Sequence, residues 1–155
     1  MKILKSSDLE EAIKYMNIAR DIAKGSPCKK EKEGAIIVKN NSIVGMGINK
    51  PPYPFICEPD YCGLSCKIPI IHAEMSAIMN VKYKENLKGS FLYHAKIKEN
   101  GRLENSKGPS CIDCSKHILS VEISGVVLKH KEGYLFYDSI EYYKINLNNH
   151  FKKSF

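Results

Sequence analysis

The 155-residue sequence contains no long run of hydrophobic residues. Its N-terminal stretch, MKILKSSDLEEAIKY, lacks the continuous apolar block of about 7 to 15 residues that a cleavable signal peptide requires, and no later stretch is long enough to cross a bilayer. Internal repeats, low-complexity tracts and interdomain linkers are absent too. We therefore expect one domain covering residues 1–155, a cytoplasmic location and no membrane partner.

Acidic residues are the minority among the charged ones, with 17 Asp and Glu against 24 Lys and Arg, for a formal net charge of +7. Such an excess suits a phosphorylated substrate or a nucleic acid. The lysines are scattered along the chain, however, and do not form one block with interleaved aromatic residues. A nucleic-acid partner is therefore the less favoured interpretation.

Predicted strands alternate with predicted helices, which favours an α/β class with three layers, α/β/α, around a mixed central sheet of about five strands. Ser7 and Glu10 resemble a capping box at the start of the first helix, and turn-forming residues lie at 40–42, 100–101 and 132–133. Helices are predicted at 8–24, 72–81, 111–121 and 139–149, strands at 35–39, 43–48, 90–98, 125–128 and 134–137, and a long loop at 49–69.

Two short motifs carry ligand-type residues. His72 and Glu74 fall in the first turn of a predicted helix and point in different directions, while Cys111 and Cys114 share one face of another helix start. One His and two Cys make three ligands of the kind that zinc prefers, which leaves a fourth position for water, as in catalytic sites. Alone, the Cys pair could equally be a redox pair or half of a structural zinc site.

Zinc lowers the pKa of a bound water towards neutrality. Glu74, close to the metal without binding it, could take a proton from that water and deliver it to a ring nitrogen and a departing amine. The combination of H-x-E with a closely spaced Cys pair is the signature of zinc deaminases that act on cytosine or adenine.

The order of several stretches resembles the cytidine and deoxycytidylate deaminase superfamily, and most of all its deoxycytidylate branch. These stretches are ARDIAKGSPC, EGAIIVKNNSIVGMGINKPP, CGLSCKIPIIHAEMSAI and PSCIDCSKHI followed by GVVL. The resemblance implies zinc ligation by His72, Cys111 and Cys114, acid–base catalysis by Glu74, a sugar contact from Asn49 and a pyrimidine contact from the Ala73 backbone. It also implies a homo-oligomer and hydrolysis of a cytosine nucleotide, with conversion of dCMP to dUMP as the first candidate.

Two departures from the family pattern leave the substrate open. Ser110 separates Pro109 from Cys111, where relatives usually have Pro directly before the Cys, and the turn at 132–133 predicts an antiparallel last strand, as in free-nucleoside cytidine deaminases. The alternatives are therefore a deaminase of a free nucleoside, a base or a modified purine, and a deaminase of RNA or DNA bases. A zinc-stabilised binding module without activity is the non-enzyme alternative, although it would have no use for Glu74.

The remaining cysteines and histidines have weaker patterns. In a chain without an export signal, the cysteines are expected to be thiols in a reducing compartment. A second, structural zinc could be bound by Cys57, Cys62 and Cys66, with or without Cys28, or these residues could be ordinary thiols. Lys29, Lys30, Lys50 and Lys67 are candidates to hold a phosphate, and surface or core roles are predicted for His94, His117, His130 and His150.

Overall fold

A computed structural model describes residues 1–57 and 70–154 and shows a sheet of six strands flanked by four α-helices. Cys62, Cys66 and Lys67 lie outside the described residues. The strands are β1 Lys2–Ile3, β2 Lys32–Lys39, β3 Ser42–Ile48, β4 Phe91–Ile97, β5 Gly125–His130 and β6 Gly133–Asp138. The helices are α1 Ser6–Ala23, α2 Ala73–Met79, α3 Ile112–Ser120 and α4 Ser139–Ser154, with a short 3-10 helix at Lys84–Asn86.

The sheet is mixed and has the order β1-β6-β5-β4-β2-β3. β4 and β5 are parallel because α3 carries the chain back across the sheet between them. β6 returns antiparallel to β5, as the sequence predicted, although the tight turn lies at residues 131–132 and not at the predicted 132–133. The sixth strand, β1, was not predicted because its two residues carry no alternation pattern.

Helices cover both faces of the sheet, which confirms the three-layer α/β/α prediction. On one face, α1 buries Ala12, Met16 and Ala19 against Ile36 and Tyr93 of the sheet. The other face packs against the remaining three helices through residues that include Ala77 of α2, Ile118 of α3 and Tyr142 of α4. Because side chains alternate along a strand, odd and even positions of β2 and β4 belong to different layers.

Two local features shape the β2–β3 hairpin and the packing of α2 against it. Asn40 and Asn41 both have positive φ, at 49° and 60°, as a two-residue hairpin turn requires, so the predicted β2–β3 hairpin is confirmed. Gly47 of β3 faces α2 so closely that a Cβ there would lie 2.2 Å from the Ala77 nitrogen. This close approach packs the second half of α2 against β3, which is an edge strand of the sheet.

Some predicted boundaries were wrong. α1 begins at Ser6 with Lys5 as its N-cap and no side-chain capping bond, so the capping box of Ser7 and Glu10 does not form. β2 begins at Lys32, three residues before its predicted start, and α4 runs beyond residue 149 to Ser154. Among the described residues, no helix is both long enough and apolar enough to cross a membrane.

Candidate active site

The start of α2 presents the first motif. His72 is the N-cap of this helix, in an extended conformation, and Glu74 lies in its first turn. Glu74 is only 4% exposed, although Glu is among the residues least often buried without a partner. The helix start thus holds a carboxylate out of solvent, two residues after an imidazole.

The start of α3 presents the second motif. Cys111 is its N-cap, and the Cys111 sulfur accepts a hydrogen bond from the Cys114 backbone N–H at 3.3 Å. Cys114 is buried in the first turn, and its Sγ lies 3.3 Å from His72 Nδ1. His72, Cys111 and Cys114, here called the thiol cluster, have ligand atoms that all lie within 4.8 Å of one another.

The donor set of the thiol cluster fits zinc. Two sulfurs and one imidazole nitrogen are the ligand types that zinc takes, and three protein ligands correspond to a catalytic site. Hydrogen bonds with Cys114 and His72 hold the pKa of Cys111 well below its usual range. The pKa of Cys114 is raised by its hydrogen bond with Cys111 and by burial. A bound zinc would take both sulfurs as thiolates, so metal binding would release a proton from Cys114.

A second group of ionisable residues lies beside Glu74. Glu33 of β2 and His94 of β4 are on the sheet face that packs against α2, and His94 Nε2 lies 3.5 Å from Glu33 Oε2 and 3.9 Å from Glu74 Oε2. We call Glu33, Glu74 and His94 the carboxylate cluster. Burial by itself would lower the pKa of His94, but the two carboxylates outweigh burial and raise that pKa to about 9.

Two atoms of the carboxylate cluster have unused hydrogen-bonding capacity. Within the part of the chain that the structure describes, neither Glu74 Oε2 nor His94 Nε2 has a hydrogen-bond partner, although both are buried. A buried polar atom without a partner lowers stability by about 1 to 3 kcal/mol. Buried polar atoms without a protein partner are expected where the side chain interacts with a bound ligand and not with another protein group.

The two clusters open onto one cavity of about 720 Å³. His72 and Cys111 line it together with all three residues of the carboxylate cluster. Its size is within the range of small-molecule sites. Charged side chains of both signs complete the wall, namely Lys30, Glu31, Lys96, Glu104, Lys107, Asp113 and Lys129.

Asn49, predicted to contact a sugar, lines this cavity but is 2% exposed. Its Oδ1 accepts hydrogen bonds from Ser26 Oγ at 2.7 Å and the Glu33 N–H at 2.8 Å, and its Nδ2 donates to the Glu31 carbonyl at 2.7 Å. These bonds tie the end of β3 to the start of β2. Asn49 therefore has a structural role, and its contact with a sugar stays a prediction.

The other predicted residues have mixed outcomes. Ser110 is exposed and lines the cavity mouth, and Lys30 lines the cavity as well. Ala73 is fully buried at the first position of α2, so its backbone contact with a pyrimidine stays a prediction. Cys28 and Cys57 belong to neither of the ligand groups found among the described residues, and the second zinc also stays a prediction.

Comparison with known proteins places this geometry in a family. The family model for the cytidine and deoxycytidylate deaminase zinc-binding region matches residues 9–130. The chain belongs to the cytidine and deoxycytidylate deaminase family. It is therefore a hydrolytic deaminase of the nucleotide and nucleoside class, and the predicted resemblance is confirmed. A search of the curated proteins found no match.

Solved structures agree with this assignment. A dCMP deaminase from the cyanophage S-TIM5, in complex with dCMP and dUMP, is 31% identical, with 79% of this chain and 82% of that chain covered and a TM-score of 0.60. Its apo form gives 30% identity, 76% and 80% coverage, and a TM-score of 0.58. A Thermotoga maritima diaminohydroxyphosphoribosylaminopyrimidine deaminase/reductase shares the fold at 19% identity and a TM-score of 0.50, with 88% of this chain and 34% of that chain covered.

Glu33 and His94 lie in the site although no sequence motif identified them. His94 was predicted to have a surface or core role, whereas it lies beside Glu74 in the cavity. One signal was available: His94 is at the centre of a mostly apolar strand, two residues after the buried Leu92 and on the same face. Its partners could not be identified from that signal alone.

Proposed function

We propose that the chain is a zinc-dependent deaminase that converts a cytosine-containing nucleotide, with dCMP as the first candidate, to the uracil nucleotide and ammonia. The observation that carries the proposal is the buried carboxylate of Glu74, which follows His72 at the start of α2 and lines the same cavity as His72 and Cys111. A purely structural zinc site normally has four protein ligands and no adjacent unpaired acid. This argues against a non-catalytic binding module.

In the proposed reaction, His72, Cys111 and Cys114 hold the metal. A zinc ion held there would supply Lewis-acid activation of water. Glu74 accepts a proton from the attacking water and passes it to the pyrimidine ring nitrogen, and then assists the departure of the amine as ammonia. Burial of Glu74 keeps bulk water from competing for these protons.

The preference for a nucleotide draws on the relatives. The S-TIM5 enzyme, whose structure contains dCMP and dUMP, is similar to this chain over most of both sequences. The cavity also has lysines that could attract a phosphate, including Lys30, Lys107 and Lys129. Acidic residues such as Glu31 and Glu104 share the wall, so net charge at the cavity does not identify the substrate by itself.

A free nucleoside is the second candidate. The observation that favours it is the antiparallel pairing of β6 with β5, the arrangement expected for free-nucleoside cytidine deaminases. No residue of the two clusters lies on this last strand. The pairing therefore bears on the choice of substrate and leaves the proposed chemistry unchanged. The homo-oligomer implied by the resemblance stays a prediction that sedimentation velocity would test.

A side-by-side substrate comparison tests the proposal. The zinc-loaded protein is assayed with dCMP, deoxycytidine, cytosine and a short single-stranded oligonucleotide, and ammonia release is measured. We expect the highest kcat/KM with dCMP, and a Glu74→Gln preparation purified in parallel reports any contaminating deaminase. Higher kcat/KM with deoxycytidine would favour the second candidate, and turnover of the oligonucleotide alone would contradict both.

A further inference from the structure

Two charged residues outside the zinc-deaminase motif face the same cavity as Glu74. Glu33 and His94 come from neighbouring strands, and the register pairs Ala35 with His94, so Glu33 lies diagonally across from the imidazole on the same face. The proposed chemistry uses neither residue. Two ionisable side chains in a buried position next to a reacting group require an explanation.

The contacts define what His94 can do. Its Nε2 lies 3.5 Å from Glu33 Oε2 and 3.9 Å from Glu74 Oε2, and the side chains of His94 and Glu74 are 15% and 6% exposed. A hydrogen on Nε2 is present in the charged ring and in one neutral tautomer, so the ring can donate from this atom in either state. The imidazole is therefore placed to donate to one of two carboxylates.

The geometry also shows which bond is incomplete. Glu74 Oε2 has no hydrogen-bond partner among the described residues, and a shift of about 1 Å would bring it to hydrogen-bond distance from Nε2. Catalytic hydrogen bonds are often long in structures without substrate and tighten when substrate binds. Lys96, two residues further along β4, does not compete for this position because its Nζ lies 2.8 Å from Glu31 Oε1.

We propose that His94 is a positioning residue for Glu74, and that the Glu33 carboxylate, 3.5 Å from the same Nε2, keeps the ring beside Glu74 by electrostatic attraction and not by a hydrogen bond. Donation from His94 Nε2 to Oε2 fixes the rotation of the Glu74 carboxylate and leaves Oε1 to exchange protons with the reacting groups. This inference rests on the proposed role of Glu74 as proton carrier.

The test compares His94→Leu, His94→Gln and Glu33→Gln with the wild-type protein. Leucine removes the donor, whereas the amide N–H of glutamine reaches about the position of Nε2. For His94→Leu we expect kcat to fall about 10- to 100-fold, the range found when a residue that orients a metal-site group is lost, with KM little changed. His94→Gln should recover most of kcat, and Glu33→Gln should lower it less than His94→Leu.

Matched controls separate positioning from a general structural effect. His130→Gln changes a histidine on β5 that does not line the cavity within the described part of the chain, and it should keep wild-type kcat. In a Glu74→Gln background, adding His94→Leu should leave the residual kcat unchanged, because His94 acts through Glu74. Zinc content should be the same in all variants, and a structure of His94→Leu should show the Glu74 carboxylate rotated.

Several results would overturn the inference. These are wild-type kcat in His94→Leu, a raised KM with unchanged kcat, no advantage of Gln over Leu, or loss of one bound metal equivalent, which would make the cluster a metal site. If His94→Leu does not fold, Glu33→Gln decides, and unchanged kcat there overturns the inference. Failure of the proposed function looks different, because the wild-type protein itself would then release no ammonia from any of the four substrates, or would release it from the oligonucleotide alone.

Discussion

The thiol cluster and the carboxylate cluster share one cavity but are assembled in different ways. The thiol cluster comes from two helix starts, where His72 and Cys111 are N-caps and Cys114 follows within one turn. The carboxylate cluster draws one residue each from β2, α2 and β4. The first therefore depends on local helix geometry, whereas the second depends on strand register and on the packing of α2 against the sheet.

This difference has a chemical consequence. The thiol cluster offers two soft sulfur donors and one imidazole nitrogen, which suit zinc, and the carboxylate cluster consists of groups that exchange or hold protons. Glu74 connects them because it follows His72 on the same helix while its side chain meets His94. Substitutions in the carboxylate cluster should therefore lower turnover and spare metal binding, whereas substitutions of the two cysteines should remove the metal and turnover with it.

The largest expected effect is that of Glu74→Gln on turnover. Loss of a positioned acid–base group should lower kcat by about 10²- to 10⁴-fold, while zinc content stays at the wild-type level because Glu74 is not a ligand. Steady-state kinetics and metal analysis measure the two quantities. Glu85→Gln, on the exposed 3-10 helix, is the matched control, and a Glu74→Gln variant with near wild-type turnover would remove Glu74 from the mechanism.

Cys111→Ser and Cys114→Ser should remove zinc as well as turnover. We expect both variants to lose bound zinc. Excess zinc raises the melting temperature of a protein whose folded state binds the metal, so this rise should be absent in both variants. Differential scanning fluorimetry with and without zinc measures this rise. Ser110→Ala, next to Cys111, should retain it, and a zinc response that survives in both Cys variants would mean that other residues bind the metal.

Asn49→Ala should destabilise the backbone that carries Glu33 of the carboxylate cluster. Asn49 bonds to Ser26 and to the Glu33 backbone, so its removal leaves buried groups unpaired and should lower the free energy of unfolding by about 1 to 3 kcal/mol. Urea denaturation measures this loss. Asn80→Ala removes an exposed bond to the Met46 carbonyl and should have a smaller effect, and equal losses would argue against the support role.

The smallest expected effect is the pH dependence of the stability that His130 contributes, and it follows from the contrast between His130 and His94. His94 has carboxylates beside it and a raised pKa, whereas burial lowers the pKa of His130 from its ordinary value of 6.5. The folded state therefore favours neutral His130, and its contribution to stability should be lost as the pH falls below about 6.5. The difference in free energy of unfolding between the wild type and His130→Gln should narrow from pH 8 to pH 5, and a widening difference would contradict this assignment.

Much of the fold could be predicted because its signals are local. Asn40 and Asn41, and Gly133 directly after the turn at residues 131–132, are of types that favour tight connections, and both turns lead to antiparallel pairs. The capping box failed because the chain enters α1 from β1, which pairs with β6, and the helix begins before Ser7. The early start of β2 was missed because Lys32 and Glu33 are polar, and their pairing with Ile97 and Lys96 of β4 is a tertiary contact.

By itself, the sequence determined the geometry within the Cys111–Cys114 pair, because residues at i and i+3 of a helix start share one face. The resemblance of several stretches to one family then predicted that His72 joins this pair and that Glu74 lies beside it. Only the tertiary structure decided that Glu33 and His94 join Glu74. No spacing connects positions 33, 74 and 94, and their meeting requires the register of β2 with β4 and the close approach that Gly47 allows. Contacts of that kind follow from packing, which a linear pattern does not encode.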